Sequence, residues 1–172
     1  MDEKRIKLAE SNFNRYLRDG LLKKESFEEV VYQTYLKNAE ESLNVANEAL
    51  KNKTSYLWVV VCSYYSMFYI ASAYLYKKGY KAGQEIVHQV INEALIVLSK
   101  NDLEKHFLEE YEEEKDKALA ASENLLKDYE FERIKRSRFQ YETTEAIKEE
   151  KAKTSLERAK NFTAVIRNIL EE

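Results

Sequence analysis

The segment from residue 54 to residue 80 constrains the fold of this chain more than any other part of the sequence. It reads TSYLWVVVCSYYSMFYIASAYLYKKGY, and no charged residue occurs between Leu57 and Tyr76. Aromatic residues fall on every face of a helix of this length, and a helix that is apolar all round is buried on most sides. Thr54 is an acceptable N-cap and Gly79 an acceptable C′ residue. The segment therefore predicts the central helix of a bundle, with Trp58 and Tyr65 in the core.

About 20 apolar residues can also span a lipid bilayer, so length alone leaves a membrane helix open. From Tyr56 to Tyr76 there are six tyrosines and three serines. Each hydroxyl needs a hydrogen-bond partner, and lipid supplies none. We therefore expect a buried protein helix and no membrane partner.

Composition favours an all-α protein with a single domain spanning residues 1–172. The chain contains no proline and three glycines, the two residue types that interrupt helices most strongly. The formal net charge of −3 gives no general attraction to nucleic acid, so a polyanion site must be local. Cys62 is the single cysteine, which excludes an intrachain disulfide and a cysteine-based metal site. The N-terminus lacks the apolar region of a signal peptide, and we expect a cytoplasmic location.

Hydrophobic periodicity predicts six helices and no strand alternation. A capping box of Ser26 and Glu29 is expected to begin the second helix. Residues 112–117, which read EEEKDK, are expected to form a solvated face. The predicted architecture is an antiparallel up-and-down bundle with a core of about residues 26–172 and an extra N-terminal helix within residues 1–25. The helices are expected at about 3–19, 26–51, between the caps Thr54 and Gly79, 84–99, 102 to beyond 130, and 143–148 to 170.

Four motifs in sequence order carry a family resemblance. They are Tyr64-Tyr65-Ser66-Met67-Phe68, then Lys78-Gly79-Tyr80 with His88 soon after it, then the segment from Arg136 to Tyr141, and finally the segment from Glu157 to Phe162. Together they resemble the HEPN domain (higher eukaryotes and prokaryotes nucleotide-binding), in its archaeal and bacterial stand-alone form. The resemblance covers about residues 35–170 and implies an all-α bundle.

The chain has one local basic cluster, with four positive charges in six residues. A guanidinium group suits phosphate because it donates two parallel hydrogen bonds. The alternative is a solvated helix end, where cations are favourable near the helix dipole. The cluster consists of Arg133, Lys135, Arg136 and Arg138.

The resemblance implies a specific role for part of this cluster. In HEPN ribonucleases an arginine is followed after four to six residues by a histidine, and two such motifs face each other across a dimer. Arg136 matches the arginine, but Tyr141 stands where the histidine would be. An unperturbed tyrosine, with a pKa of about 10, is a poor base at pH 7. Tyr141 could instead donate a hydrogen bond, act as a nucleophile, be adenylylated by a partner nucleotidyltransferase, or be a plain surface tyrosine.

Two further observations bear on the candidate site. Residues five apart in a regular helix point about 140° apart, so Arg136 and Tyr141 converge only if the helix ends or kinks between them. His88 has apolar neighbours and is either a structural residue or, as the resemblance implies, part of the same cleft. We assign His106 no role. The sequence contains no histidine-carboxylate metal motif, and we expect neither a metal site nor a cofactor.

Three functions remain open at this point. The first is a nucleotide- or RNA-binding subunit of a toxin–antitoxin-like system, partnered with a nucleotidyltransferase. The second is a metal-independent endoribonuclease with a degenerate R-x4-Y motif, in which Arg136 and Tyr141 would be catalytic. The third is a structural interaction module. The ligand-binding candidates are Arg133, Arg136, Arg138, Tyr141 and His88, and the resemblance implies a homodimer.

Overall fold

The structure, a computed structural model, describes residues 1–134 and 148–171, and its side chains are described outside residues 124–134. These residues form six helices and two short strands, which confirms the predicted all-α bundle with an extra N-terminal helix. The elements are α1 (Glu3–Arg18), β1 (Leu22–Lys24), α2 (Glu29–Lys51), α3 (Tyr56–Lys77), β2 (Tyr80–Ala82), α4 (Val87–Ser99), α5 (Lys105–Ile134) and α6 (Glu149–Glu171).

Helix α3 is the central helix, with α2, α4, α5 and α6 packed around it. By length and composition it could cross a membrane, but most of its residues are buried inside the bundle. Several of its hydroxyl groups find protein partners. Ser72 donates to the carbonyl of Phe68 at 2.7 Å, and the hydroxyls of Ser66 and Thr163 lie 3.3 Å apart. These bonds satisfy part of the polar groups that a buried helix of this composition carries.

Gly79 follows the C-cap Lys78 of α3 as predicted, but both predicted N-terminal caps differ from the observed ones. Ser55, not Thr54, caps α3, because its hydroxyl accepts from the amide of Trp58 at 3.4 Å. The expected capping box of α2 does not form. Instead the hydroxyl of Tyr76 accepts from the amide of Glu28 at 3.1 Å and donates to the carbonyl of Ser26 at 3.0 Å. A side chain distant in sequence thus replaces the local cap.

A two-stranded antiparallel pairing that the periodicity did not predict joins the ends of α1 and α3. Gly20 and Gly79 adopt left-handed backbone conformations with φ of 72° and 86°, which glycine reaches without a Cβ clash. The chain then enters β1 and β2, with Leu22 opposite Ala82. Strands of three residues are too short to show an alternating pattern.

Helix α4 begins three residues later than expected. Ile86 precedes it in a left-handed conformation with φ of 43°. This conformation is rare for a β-branched residue. The segment from Gly83 to Ile86 is therefore a turn, and it leads directly into the first helical residue, Val87.

The surface of α3 is not covered all round, and this corrects the expectation for its two named aromatics. Trp58 is 51% exposed, and Tyr65 is only partly buried. Both belong to a row at intervals of four, three and four residues that the neighbouring helices leave partly open. We call this row the α3 stripe: Trp58, Cys62, Tyr65 and Tyr69.

The acidic cluster on α5 is likewise not a simple solvated face. Glu114 is fully buried, and cations from two helices meet it. Arg158 of α6 donates to Glu113 at 2.6 Å and to Glu114 at 3.0 Å, and Lys117 lies 2.8 Å from Glu114. Burial of the carboxylate is possible because these partners compensate its charge.

Helix α1 packs on the bundle through one arginine that contacts two glutamates. Arg5 donates two parallel hydrogen bonds to Glu93 of α4, at 2.8 and 2.9 Å. The same guanidinium contacts Glu112 of α5 at 2.6 Å. Glu93 is nearly buried, so this bidentate pair holds α1 against both helices.

Candidate functional site

The basic cluster predicted from the sequence lies largely outside the described residues. Arg136, Arg138 and Tyr141 fall in residues 135–147, and so does Lys135. Arg133 belongs to α5, but its side chain is not described. The roles assigned to these residues therefore stay predictions.

His88 is the predicted site residue that the structure places. It is the second residue of α4 and is half-buried against α3. Its Nδ1 lies 2.8 Å from the hydroxyl of Tyr64. Its ring lies beside three aromatic rings of α3, with centroid distances of 4.8 Å to Phe68, 5.6 Å to Tyr64 and 5.8 Å to Tyr65. The YYSMF motif and the histidine that the resemblance linked in sequence therefore form one cluster in space.

The protonation of this cluster follows from its surroundings. Burial lowers the pKa of His88, and the positive charge of Lys115 lowers it further. Burial, followed by the proximity of Tyr111, raises the pKa of Tyr64 far above its usual range. The imidazole is therefore neutral near pH 7 while the phenol keeps its proton. We assign Tyr64 as the donor to Nδ1, which leaves the imidazole proton on Nε2.

Lys115 is joined to the site through its charge, which lowers the pKa of His88. The sequence analysis missed it because it lies within the cluster expected to be solvated. Its side chain is only 14% exposed, and its ammonium group lies 3.4 Å from Asp116. One signal was present in the sequence. Lys115 follows Tyr111 by four residues, and residues at that spacing share a helix face. Tyr111 is buried, with its ring 5.9 Å from that of Tyr64.

The described site combines a neutral imidazole, a lysine cation and aromatic faces where α3, α4 and α5 meet. We call it the His88 site: Tyr64, Tyr65, Phe68, His88 and Lys115. With Nδ1 accepting from Tyr64, the imidazole can donate a hydrogen bond from Nε2 to a ligand, and an ammonium group can contact phosphate. A histidine whose pKa is lowered is a weak general acid at pH 7, because the needed proton is mostly absent, and the Tyr64 hydroxyl occupies the nitrogen that a general base would use. The arrangement thus suits ligand binding better than proton transfer.

The described side chains form no metal site. Among residues 1–123 and 148–171, no three histidine, cysteine, aspartate or glutamate side chains are placed to hold a metal ion.

Comparison with known families identifies the bundle. The chain matches the HEPN domain over residues 32–169, which includes the His88 site and leaves α1 and β1 outside. No curated protein and no solved structure gives a significant match. The match spans well over half of the chain and agrees with the architecture and with the motif cluster around His88. This chain belongs to the HEPN domain family.

Proposed function

We propose that this protein is a cytoplasmic, nucleotide- or RNA-binding HEPN subunit of a toxin–antitoxin-like system that works with a nucleotidyltransferase partner. Membership of the HEPN family supports a nucleotide- or RNA-related function at the level of the family. The observation that carries the proposal is the His88 site. There a neutral imidazole is held by Tyr64 and lies near the cation of Lys115.

The charge arrangement favours a phosphate-bearing ligand. The chain as a whole is acidic, but Lys115 and His88 bring donors to a site walled by aromatic rings. Aromatic rings stack on bases, and cations contact phosphates, so a nucleotide uses both features together. Arg136, which the family resemblance assigns to phosphate, is expected to extend the same cleft.

The alternative is a metal-independent endoribonuclease acting through Arg136 and Tyr141 across a dimer. The family motif supports it, but two features of this chain oppose it. Tyr141 stands in place of the motif histidine, and His88 is a poor proton-transfer group because its pKa is lowered and Tyr64 donates to its Nδ1. A binding role requires neither residue to transfer a proton. A structural module without a ligand is the third possibility.

We also propose that the subunit is a homodimer. The family resemblance implies one, and the α3 stripe offers a face for a second copy because aromatic residues dominate interface energetics. Trp58 is half-exposed at one end of the stripe, and Tyr65 is shared by the stripe and the His88 site. A second copy on this face would therefore border the ligand site.

Replacement of Lys115 by alanine tests the proposed site directly. We expect Lys115→Ala to weaken binding of a short single-stranded RNA and to reduce the dependence of that binding on salt, because one phosphate contact is lost. The measurement is fluorescence anisotropy with labelled RNA at two salt concentrations. The matched control is Lys160→Ala, an exposed lysine on α6, which should bind like the wild type. Equal losses in the two variants would indicate a diffuse charge effect and no site at His88.

A further inference from the structure

A cavity of about 330 Å³ opens beside the His88 site, between α2, α3, β2 and α4. Its volume falls within the range of roughly 300–1,000 Å³ that is typical of small-molecule sites. Phe68 lines the cavity and also lies 4.8 Å from the ring of His88. Val87, the neighbour of His88 in the chain, lines it as well. Phe68 is therefore shared by the wall of the cavity and the His88 site.

The wall of the cavity combines flat aromatic surfaces with a small number of polar groups. Tyr35 of α2, Phe68 of α3 and Tyr80 of β2 contribute rings from three different elements. Gln84 and Lys81 add an amide and an ammonium group. A base has a π-face that stacks on aromatic rings and an edge that carries both donors and acceptors. A glutamine amide supplies both a donor and an acceptor to such an edge.

We propose that this cavity is a base-binding pocket, in which the ring of a nucleotide stacks among Tyr35, Phe68 and Tyr80 while its phosphate lies toward His88 and Lys115. The ligand class is a nucleobase, carried either by a free nucleotide or by a base of an RNA strand. This inference rests on the proposed nucleotide- or RNA-binding function and specifies how that function recognises its ligand.

The N-terminal addition helps to build this pocket, although it lies outside the family match. The ring of Phe13 of α1 contacts Tyr80 edge-on at a centroid distance of 5.4 Å. The amide of Gly83 donates to the carbonyl of Leu21 at 2.8 Å. The pairing of β1 with β2 fixes the rest of this wall. The pocket is therefore a feature of the whole chain and extends beyond its HEPN-matching part.

The rim of the pocket also contains the unusual backbone of Ile86. A β-branched residue with positive φ is costly, and such strain persists where the surroundings over-determine it, commonly at ligand sites. Ile86 lies between two lining residues, Gln84 and Val87. Its strained conformation turns the chain from β2 into α4 and so shapes the mouth of the pocket.

The test compares ligands with and without a base. Isothermal titration calorimetry is performed with the four ribonucleoside monophosphates, with ribose 5-phosphate and with a six-nucleotide RNA. We expect at least one monophosphate to bind tenfold or more tightly than ribose 5-phosphate, because the base supplies the stacking. Tighter binding of the RNA than of every monophosphate would assign the pocket to RNA, and the reverse order would assign it to a free nucleotide.

Two variants locate the binding. Gln84→Ala removes the amide of an exposed residue, and it should weaken the binding of the preferred monophosphate about two- to tenfold, as loss of one hydrogen bond predicts. Gln89→Ala, an exposed glutamine on α4 that is not among the lining residues, is the matched control and should bind like the wild type. Val87→Trp fills the cavity and should abolish binding. Its thermal unfolding shows whether the variant is folded.

The outcomes separate this inference from the proposed function. If the monophosphates bind no more tightly than ribose 5-phosphate, or if Gln84→Ala binds like the wild type, the base-binding pocket is wrong. RNA binding that still depends on Lys115 would then leave the proposed function standing. Nucleotide binding that is lost in Val87→Trp but unchanged in Lys115→Ala would keep the pocket and reject the His88 site. Absence of all binding would overturn both.

Discussion

His88 shows how one residue acquires its properties from its neighbours. In the sequence it is a histidine among apolar residues, which is compatible with a structural role or a functional one. In the structure the Tyr64 hydroxyl fixes one ring nitrogen, and Phe68 covers part of the ring. Burial and Lys115 both disfavour the imidazolium form. The residue is therefore a neutral group that can bind a ligand at pH 7.

The lowered pKa of His88 predicts a specific dependence of stability on pH. The unfolded chain takes up a proton near the ordinary histidine pKa of about 6.5, whereas the folded chain does so only at lower pH. Where the unfolded state binds more protons, stability falls as pH falls. The contribution is thus fully present above about pH 6.5 and is lost as pH drops from there through the folded-state pKa.

Thermal unfolding at pH 7.5 and pH 5.0 measures this effect. We expect the Tm of the wild type to fall between the two pH values by more than the Tm of His88→Gln, because glutamine does not titrate. The control is His106→Gln, an exposed histidine on α5, which should keep the wild-type fall. A fall in His88→Gln as large as that of the wild type would show that His88 does not titrate differently in the folded state.

At the scale of elements, α3 is the central helix of the fold. Its burial could be predicted from the sequence, but the side on which it is open could not. An uncharged run of about 20 residues in a chain without proline is enough to predict a buried central helix. The open side of that helix is not predictable from its composition, since aromatics occur on all sides. Only the positions of α2, α4, α5 and α6 decide that Tyr64 is buried while Trp58 is exposed.

The α3 stripe predicts a dimer that a surface substitution should weaken. Trp58→Ala should raise the dimer dissociation constant about tenfold or more, because interface tryptophans often contribute 2 kcal/mol or more. Its effect on thermal stability should be small, since the side chain is half-exposed. Light scattering across micromolar concentrations measures the dissociation. Val45→Ala removes an exposed apolar side chain of α2 that lies off the stripe, and it should leave the dimer unchanged.

Two results would contradict this interface. A wild-type protein that is monomeric at micromolar concentration would exclude the dimer itself. A dimer that Trp58→Ala leaves intact would place the interface on another face of the bundle.

At the scale of the whole molecule, acidic helix α5 is held by arginines from both ends of the chain. Arg5 joins it to α1 and α4, and Arg158 joins it to α6. Charge composition alone predicted that the acidic residues of α5 would face solvent, because nothing in the local sequence reveals partners about 45 and 107 residues away. The same long-range packing places the charge of Lys115 where it lowers the pKa of His88. The spacing of Lys115 from Tyr111 indicated a shared helix face but could not identify His88 as a neighbour.

Of the site residues taken from the family resemblance, the structure describes the side chain of one. His88 was predicted from the resemblance, and the structure places it beside the YYSMF segment. Arg133, Arg136, Arg138 and Tyr141 remain predictions, because their side chains lie outside the described part of the chain. The chemistry of these residue types still distinguishes RNA binding from RNA cleavage. An arginine without a partner histidine can bind phosphate, but efficient cleavage also needs an acid or a base.

The fate of RNA incubated with the protein separates binding from cleavage. A mixed RNA substrate is incubated with the wild type in the presence of a metal chelator, and bound and cleaved RNA are measured on the same sample. We predict that the RNA is bound and recovered intact, because Tyr141 replaces the motif histidine and the Tyr64 hydroxyl occupies the acceptor nitrogen of His88. Efficient cleavage that is lost in Arg136→Ala would contradict the binding function and establish the endoribonuclease instead.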